Sequence, residues 1–324
     1  MFHERVDVKD YNAFIEQSIS HFKSIVGDKR ALLALSGGID SMVCAALLSK
    51  AIGDRLTCIF VDTGLMRLNE VQEVAKMVND NFEATFISIN AEARFLTKLA
   101  GVTDPEAKRK IIGEEFIRVF EEESSKLGQI DFLAQGTIYP DILESGTDGG
   151  NLIKSHHNVG GLPEDIGFKG ILEPLKFLYK DEVRLLGQAL GLPADMVHRQ
   201  PFPGPGLAVR VIGEVTKEKL DILRKADYIY RSEIANAGLA QDIWQYFAVI
   251  TDLKAVGIKN HQRTYGHVLA LRAVHSKDAM AASIAHIPYP TIEKISEKII
   301  NNVEEITRVV YDITAKPPGT IEWE

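Results

Sequence analysis

The chain has 324 residues, of which 45% are hydrophobic and 25% are charged. This composition is typical of a soluble globular protein and argues against a disordered, collagen-like or coiled-coil chain. Lys and Arg number 37 against 45 Asp and Glu, so the net charge of −8 has the wrong sign for a protein that coats a nucleic acid. A chain of this length is expected to form two domains.

The cysteines and the hydropathy pattern bear on the cellular compartment. Cys44 and Cys58 lie in apolar surroundings without Cys-x-x-Cys spacing, so we expect neither a disulfide scaffold nor a zinc site. No stretch approaches the ~18 apolar residues that a membrane span needs. We therefore expect a cytoplasmic protein with no membrane partner and no nucleic acid partner.

The first two thirds of the chain alternate between strand and helix patterns. Apolar residues at three-to-four spacing predict a first helix over 11–26, and short apolar runs predict buried strands. The predicted strands are 31–35, 56–61, 84–89 and 132–135, and the other predicted helices are 40–51, 69–79, 103–126 and 180–190. This alternation predicts an α/β domain with a parallel sheet covered by helices. The glycine-punctuated stretch 136–170 is expected to be a functional lid or a disordered loop.

A cluster of prolines and glycines at 201–206 marks the expected domain boundary, because it can continue neither a helix nor a central strand. We therefore predict domains at 1–200 and 201–324. In the second domain the predicted strands are 208–212, 247–251, 268–274 and 308–313, and the predicted helices are 217–237 and 292–301. Helices and strands without regular alternation predict a smaller α+β domain.

The sharpest motif lies between the first predicted strand and the helix that follows it. It reads Ser36-Gly37-Gly38-Ile39-Asp40-Ser41, followed by Met42. Adjacent glycines let the backbone approach a phosphate, the two serines add hydroxyl donors, and the helix start offers N–H groups to an anion. The spacing is neither that of the P-loop nor Gly-x-Gly-x-x-Gly. The motif predicts a phosphate cradle, with an ordinary glycine turn as the alternative.

Ser-Gly-Gly-x-Asp-Ser resembles the PP-loop of the ATP pyrophosphatases, which cut ATP between its α and β phosphates. Five further segments, 61–67, 135–141, 154–163, 201–210 and 316–322, together resemble the synthetase part of the GMP synthetase family. The likeness covers essentially the whole chain. It implies that ATP adenylates O2 of XMP, that ammonia then displaces AMP to give GMP, and that Mg²⁺ assists.

The resemblance assigns a set of residues to ATP and to the cation. Residues 36–42 would hold the phosphates, and Asp40 would bind Mg²⁺, although it could instead cap its helix. The adenosine would lie against Asp62, Gly64 and Leu65, which otherwise form a plain strand-to-loop turn. Gly136 and Asp141 follow the fourth predicted strand and would contact ATP, and Glu144 follows one turn later, so a second carboxylate group could face the cation or the xanthine ring. Tyr139 and Glu144 would contact the substrate, and a solvated loop is the alternative for this segment.

The glycine-rich stretch contains the other expected catalytic residues, Lys154 and His156, next to His157. No partner ligand sits at zinc spacing, so a lid that closes on the nucleotide is favoured over a metal site. Lys154 would supply a positive charge and His156 a phosphate contact. Surface histidines without a role are the alternative.

The tail also carries expected substrate contacts. By resemblance Lys316, Thr320, Ile321 and Glu322 would bind XMP, and the prolines of this segment suit a docked tail. Arg263 matches an XMP-binding arginine. His261 is a departure, because many relatives have aspartate there, and it removes any carboxylate contact at that position.

Neither cysteine lies in a nucleophile elbow of the kind that a glutamine amidotransferase uses. We therefore expect the chain to receive ammonia from a separate glutamine amidotransferase subunit. By resemblance the second domain would form a homodimer. Two other classes stay open, namely another PP-loop ligase, such as an NAD synthetase or a tRNA-thiolating enzyme, and a nucleotide-binding subunit without activity.

Overall fold

The structure, a computed structural model, describes residues 8–146, 168–259, 261–277 and 279–324, and for residues 143–146 it describes the backbone alone. The chain divides into two compact units. The first comprises 1–63, 70–91 and 113–199, and the second comprises 64–69, 92–112 and 200–324. Each unit is assembled from several stretches of sequence. The division into functional domains at 1–200 and 201–324 stays a prediction.

The first unit is an α/β fold around a five-stranded parallel sheet of order β3-β2-β1-β4-β5. Its strands are β1 (Ala31–Ala34), β2 (Leu56–Asp62), β3 (Thr85–Asn90), β4 (Phe132–Ala134) and β5 (Gly170–Leu172). Its helices are α1 (Tyr11–Val26), α2 (Ile39–Ile52), α3 (Glu70–Asn81), α6 (Tyr139–Gly146), α7 (Lys180–Ala189) and α8 (Ala194–Val197). The predicted parallel sheet is confirmed.

Burial explains why these segments pair as they do. The central strands β1 and β2 are almost entirely buried, and nearly every residue of α2 is buried as well. Strands that are covered on both faces carry continuous apolar runs, which is the pattern of a parallel sheet between helices. Helix α1 begins after Asp10, whose side chain caps it by accepting the N–H of Asn12 at 2.9 Å.

The second unit is an α+β fold around a mostly antiparallel sheet. Its strands are β6 (Gln245–Lys259), β7 (Gln262–Ser276), β8 (Ala282–Ile284) and β9 (Ile306–Asp312). Its helices are α4 (Glu92–Leu99), α9 (Lys217–Asn236) and α10 (Tyr289–Asn302), and α5 (Pro105–Ser125) has residues in both units. Strands β6 and β7 form a long hairpin, and β7 pairs on its other edge with β8 antiparallel and β9 parallel.

One predicted strand is wrong. Residues 206–210 form a 3₁₀ helix instead of the strand predicted over 208–212, and only Val211 makes an isolated bridge, to Ile250. Gly206 has φ +63°, and a side chain there would collide with the carbonyl of Leu65. The chain therefore turns tightly at this glycine before it can extend. The sequence patterns do not predict the short elements α4, α6, α8, β5 and β8.

Among the described residues, no helix combines the length and the apolar character that crossing a bilayer requires.

Candidate active site

The Ser36–Ser41 motif lies at the point where the sheet order of the first unit reverses. Strand β1 pairs with β2 on one side and with β4 on the other. In open parallel sheets the loops after two such strands diverge and leave a crevice at the carboxyl ends, which is where ligands bind. The motif follows β1 and the segment from Gly136 follows β4, so both predicted site segments begin at this crevice.

The loop between β1 and α2 is shaped by its glycines and serines. Gly37 has φ +76°, and a Cβ there would lie 2.9 Å from Cγ2 of Val74. The Ser41 hydroxyl donates to the carbonyl of Gly38 at 2.9 Å and lies 3.1 Å from the Ser36 hydroxyl. Gly38 is the N-cap, and no side chain of the described residues caps this helix start. Its N–H groups and positive dipole can therefore serve an anion.

Asp40 lies in the first turn of α2, so the alternative that it caps the helix is wrong. Its Oδ2 lies 3.1 Å from Nζ of Lys180, the first residue of α7. Its Oδ1 is buried and has no hydrogen-bond partner among the described residues. Burying a carboxylate oxygen without a partner is unfavourable. This arrangement would suit a bound cation, with Oδ1 as one of its ligands.

No group of three His, Cys, Asp or Glu within the described ranges is close enough to hold a metal ion. A hard cation such as Mg²⁺ does not require such a cluster. It usually keeps several waters and binds one or two carboxylates together with substrate phosphates. Asp40, in the first turn of α2, could supply one such carboxylate.

Gly136 follows β4 and lies directly against the first turn of α2. A Cβ on Gly136 would lie 3.1 Å from the carbonyl carbon of Asp40 and 3.1 Å from the backbone nitrogen of Ser41. Glycine is therefore needed for this close approach of two backbones. The structure thus brings Gly136 together with the residues of the motif.

The structure also gives contacts for two other predicted residues of this segment. Asp141 accepts the N–H of Ile138 at 2.9 Å through Oδ2, which orients the start of α6. Tyr139 packs edge-on against Tyr179, with ring centroids 5.3 Å apart. Glu144 lies in α6, and its side chain is outside the described part of the chain. Their roles toward a ligand stay predictions.

Sequence reasoning missed two cations that contact the motif. Besides Lys180, the side chain of Arg199 donates to the carbonyl of Gly37 at 2.9 Å and forms an ion pair with the buried Glu70. Arg199 is 162 residues from Gly37, so no local pattern could have indicated this contact. Arg199 and Glu70 together hold the loop in its shape.

The residues predicted to contact adenosine fall in different units. Asp62 ends β2, and its carbonyl accepts the N–H of Ala91 at 2.8 Å. Gly64 and Leu65 belong to the second unit, where Arg224 donates to the carbonyl of Gly64. Leu65 is fully buried. The adenosine role of these residues stays a prediction.

The predicted catalytic residues Lys154 and His156, with His157, lie outside the described residues.

The tail is docked on the second unit, as predicted. Lys316 bonds to Ala282 through both backbone groups, at 2.8 and 3.0 Å, and its Nζ donates to the carbonyl of Ala279 at 2.8 Å. Ile321 is buried in an apolar cluster with Phe247, Val249, Ala270, Val274 and Ala282. These contacts give the end of the chain a defined conformation.

The side chain of Glu322 is held by three donors. Arg210 donates from Nε at 3.0 Å and from Nη2 at 2.8 Å, and Gln245 donates at 3.1 Å. A carboxylate offers about four acceptor positions, so at least one remains for another donor. Glu322 is therefore a fixed acceptor.

Arg263 lies far from the tail of its own chain. It pairs with Ile258 near the turn of the β6–β7 hairpin, whereas Thr320 accepts a hydrogen bond from Arg272, nine residues further along β7. Nine residues of a strand span about 30 Å, which is more than one nucleotide and an arginine side chain can bridge. At the same turn His261 has φ +62°, a left-handed conformation in which Asn, Asp and His are all enriched.

The fold and the site together define the class of protein to which the first unit belongs. A loop of glycines and serines follows the central strand of a parallel sheet, and beside it lies a carboxylate with one oxygen that no described residue pairs. The first unit is an α/β domain of the PP-loop, ATP-pyrophosphatase type.

The comparisons point to one family within this class. Residues 232–323 match the family described as GMP synthase C terminal domain. The chain is 62% identical to a protein named GMP synthase [glutamine-hydrolyzing] from Acetivibrio thermocellus, over 96% of this chain and 61% of that protein. A protein of the same name from Clostridium botulinum is 60% identical over 97% of this chain and 61% of its own length. The resemblance to the GMP synthetases is confirmed, and the chain spans about three fifths of these relatives.

More distant likenesses appear among solved structures. An NH3-dependent NAD synthetase from Campylobacter jejuni is 15% identical, with a TM-score of 0.43 over 58% of this chain and 76% of that one. An NMN synthetase from Francisella tularensis is 17% identical, with a TM-score of 0.45 over 66% of this chain and 85% of that one. Likenesses of this extent do not bear on the function of the chain.

Proposed function

We propose that this chain is the synthetase part of a GMP synthase, which uses ATP to adenylate XMP and ammonia to convert the adduct to GMP. The observation that carries the proposal is the buried Oδ1 of Asp40, which has no hydrogen-bond partner among the described residues and lies beside the proposed phosphate cradle. This site lies in a chain that is 62% identical to a GMP synthase.

In the first step, O2 of the xanthine attacks the α-phosphorus of ATP and pyrophosphate leaves. The first turn of α2 and the hydroxyls of Ser36 and Ser41 would bind the departing phosphates. Lys180 would add a positive charge at the same place. Asp40 would hold Mg²⁺, which when bound supplies further positive charge to the phosphate oxygens. Catalysis in this step is mainly positioning and electrostatic stabilisation.

In the second step, ammonia attacks C2 of the adenylated xanthine and AMP leaves. No protein nucleophile is required for either step. By resemblance, Lys154 and His156 would contact the nucleotide phosphates. Asp62, Gly64 and Leu65 would contact the adenosine.

The tail would hold XMP through Lys316, Thr320, Ile321 and Glu322. Because Arg263 lies about 30 Å away along β7, it would reach XMP only on a second copy of the chain. A homodimer is supported by the exposed apolar residues of the β6–β7 hairpin, among which Leu253 is 68% exposed and Ile258 is 76% exposed. Light scattering should give the mass of two chains for the parent protein and of one chain for Ile258→Asp. A single-chain mass for the parent would contradict the homodimer.

The ammonia would come from a separate glutamine amidotransferase subunit. Both cysteines of the 324 residues are buried, and burial raises the pKa of the Cys58 thiol to about 12. A glutaminase needs a reactive thiolate, which neither cysteine provides. The purified chain should form GMP with ammonium and none with glutamine. Glutamine hydrolysis by the chain alone would overturn the proposal of a separate glutaminase.

We also propose that the enzyme acts in the cytoplasm, where its nucleotide substrates are available.

The decisive experiment mixes the purified chain with ATP, Mg²⁺, XMP and ammonium chloride. GMP, AMP and pyrophosphate should appear in equal amounts, and omission of XMP should abolish all three. AMP formation that is independent of XMP, or formation of NAD when its acid precursor replaces XMP in the mixture, would indicate another PP-loop ligase. Nucleotide binding without any product would indicate a subunit without activity.

A further inference from the structure

Three cationic side chains of the second unit have no exposure to solvent, namely Lys108, Arg210 and Arg272. Burying a charge is unfavourable unless it is paired and fully hydrogen-bonded. All three make their ion pairs with residues of the segment 312–324. These three fully buried cationic side chains therefore all pair with carboxylates of the tail, residues 312–324.

Arg272 and Arg210 hold successive parts of the tail. Arg272 donates to the carbonyls of Thr314 at 2.5 Å and of Thr320 at 2.9 Å, and its guanidinium lies 3.2 Å from the carboxylate of Asp312. Arg210 forms the bidentate pair with Glu322. The backbone on both sides of residues 315–319 and the carboxylate of Glu322 are thereby fixed.

The third contact lies beyond every residue assigned to the substrate. Lys108 of α5 forms an ion pair with the carboxylate of Glu324 and also donates to the carbonyl of Val211 at 2.8 Å. Arg109 donates to the main-chain oxygen of Glu324 at 2.5 Å, and the N–H of Gly213 donates to its carboxylate at 3.1 Å. Glu324 is thus bound by three groups from two distant parts of the sequence.

We propose that Lys108 and Glu324 are positioning residues that, with Arg210 and Arg272, hold the tail in its XMP-binding conformation before the nucleotide arrives. The inference rests on the proposed function. A ligand that must order a loose segment loses binding free energy to that ordering, whereas a segment ordered in advance causes no such loss. Release of Glu324 should therefore weaken XMP binding although Glu324 does not touch XMP.

The test is a double-mutant cycle of Lys108→Met and Glu324→Gln. XMP binding is measured by calorimetry without ATP, KM values are measured for XMP and ATP, and stability is measured by urea unfolding. Glu324→Gln should weaken XMP binding about tenfold, equivalent to about 1.4 kcal/mol, with the KM for ATP unchanged. Glu297→Gln, which changes an exposed glutamate of α10, is the matched control and should alter nothing.

The double variant separates positioning from stability. Glu324→Gln leaves Lys108 buried without its ion pair, which is destabilising, and Lys108→Met removes that charge and should restore stability. XMP binding should stay weak in the double variant because the tail is still released. XMP affinity equal to the parent's in the single variant, or affinity that returns with stability in the double variant, would overturn the proposal. A parent protein that binds no XMP would overturn the proposed function as well, and calorimetry on the parent shows this first.

Discussion

Nζ of Lys180 lies 3.1 Å from Oδ2 of Asp40 and binds only one of the two oxygens of that carboxylate. The other oxygen is buried and has no hydrogen-bond partner among the described residues. Lys180 orients the carboxylate through Oδ2, and Oδ1 stays available as an acceptor for a cation. The ammonium group of Lys180 is at the same time a positive charge that could attract a phosphate. This one relationship supports both electrostatic roles that the proposed adenylation requires.

Asp40→Asn should abolish most of the turnover while leaving the fold intact. The amide keeps the size of the side chain but removes the negative charge that would hold Mg²⁺, so we expect kcat to fall by roughly 10²–10³-fold. The measurement is GMP formation at saturating XMP and ammonium over a range of Mg²⁺ concentrations. Asp54→Asn, which changes an exposed aspartate just beyond the other end of α2, is the control and should retain full activity. A fully active Asp40→Asn would remove Asp40 from the mechanism.

Gly136→Ala should disturb the cradle through the backbone of α2. The new methyl group would lie 3.1 Å from Ser41 N and from the carbonyl carbon of Asp40, so the first turn of α2 must shift by a few tenths of an ångström. We expect kcat/KM for ATP to fall by about tenfold or more, because a small misplacement of a positioning group is costly. Overpacking should also lower the free energy of unfolding by about 1–3 kcal/mol.

Gly113→Ala is the matched control for this substitution. Gly113 lies within α5, and a Cβ there would meet no heavy atom within 4 Å. Alanine in an open helical position is expected to stabilise by up to about 1 kcal/mol and to leave ATP kinetics unchanged. Equal effects of the two substitutions would show that the contact of Gly136 with α2 is unimportant.

The sequence was informative where one pattern determined one element. The stripe of apolar residues over 11–26 and the run over 31–35 predicted α1 and β1 closely, because burial of those residues is what forms the elements. The run over 208–212 has the same apolar character but follows a glycine with φ +63°, and it forms a 3₁₀ turn. β4, β5 and β8 each have three residues, but only β4 is apolar throughout, whereas β5 begins with Gly170 and β8 contains Ser283, so neither of them gives an apolar run.

The site could be predicted only in its local part. The motif at 36–41 identified the cradle because its residues are adjacent in sequence and their chemistry is specific. Lys180 reaches Asp40 across 140 residues, so its role depends on how the strands are ordered in the sheet. Arg272 likewise became a tail contact only when β7, β9 and the tail were brought together.

Both thiols should be unreactive in the native protein. Burial raises the pKa of the Cys44 thiol strongly, with a further contribution from Cys58, and burial raises the pKa of Cys58 to about 12. At pH 8 neither residue has a significant thiolate fraction, and neither is accessible. Titration with a disulfide reagent should therefore detect no thiol in the native protein and two in denaturant. Rapid reaction of one native thiol would contradict this and reopen the question of a glutaminase nucleophile in the chain.

Acid should weaken the contact between α9 and α10 through Glu233. Its carboxylate is buried and lies 2.8 Å from Nζ of Lys294 and 2.6 Å from Nζ of Lys298. These hydrogen-bonded lysines lower the pKa of Glu233 from 4.5 to about 2. A carboxyl group whose pKa is lower in the folded state contributes stability above its unfolded pKa, and that contribution is lost as the pH falls toward the folded pKa. The contribution of Glu233 should therefore be complete above about pH 4.5 and should vanish near about pH 2.

The measurement is the urea unfolding midpoint of the parent and of Glu233→Gln as a function of pH. The two tryptophans, Trp244 and Trp323, both lie in the second unit, so tryptophan fluorescence reports the unfolding of that unit. The parent should be more stable than Glu233→Gln at pH 6, and the difference should shrink as the pH falls below about 4.5. Glu297→Gln on α10 should show no such dependence, because Glu297 is exposed. A difference between the parent and Glu233→Gln that stays constant with pH would mean that the lysines do not act on the charge of Glu233.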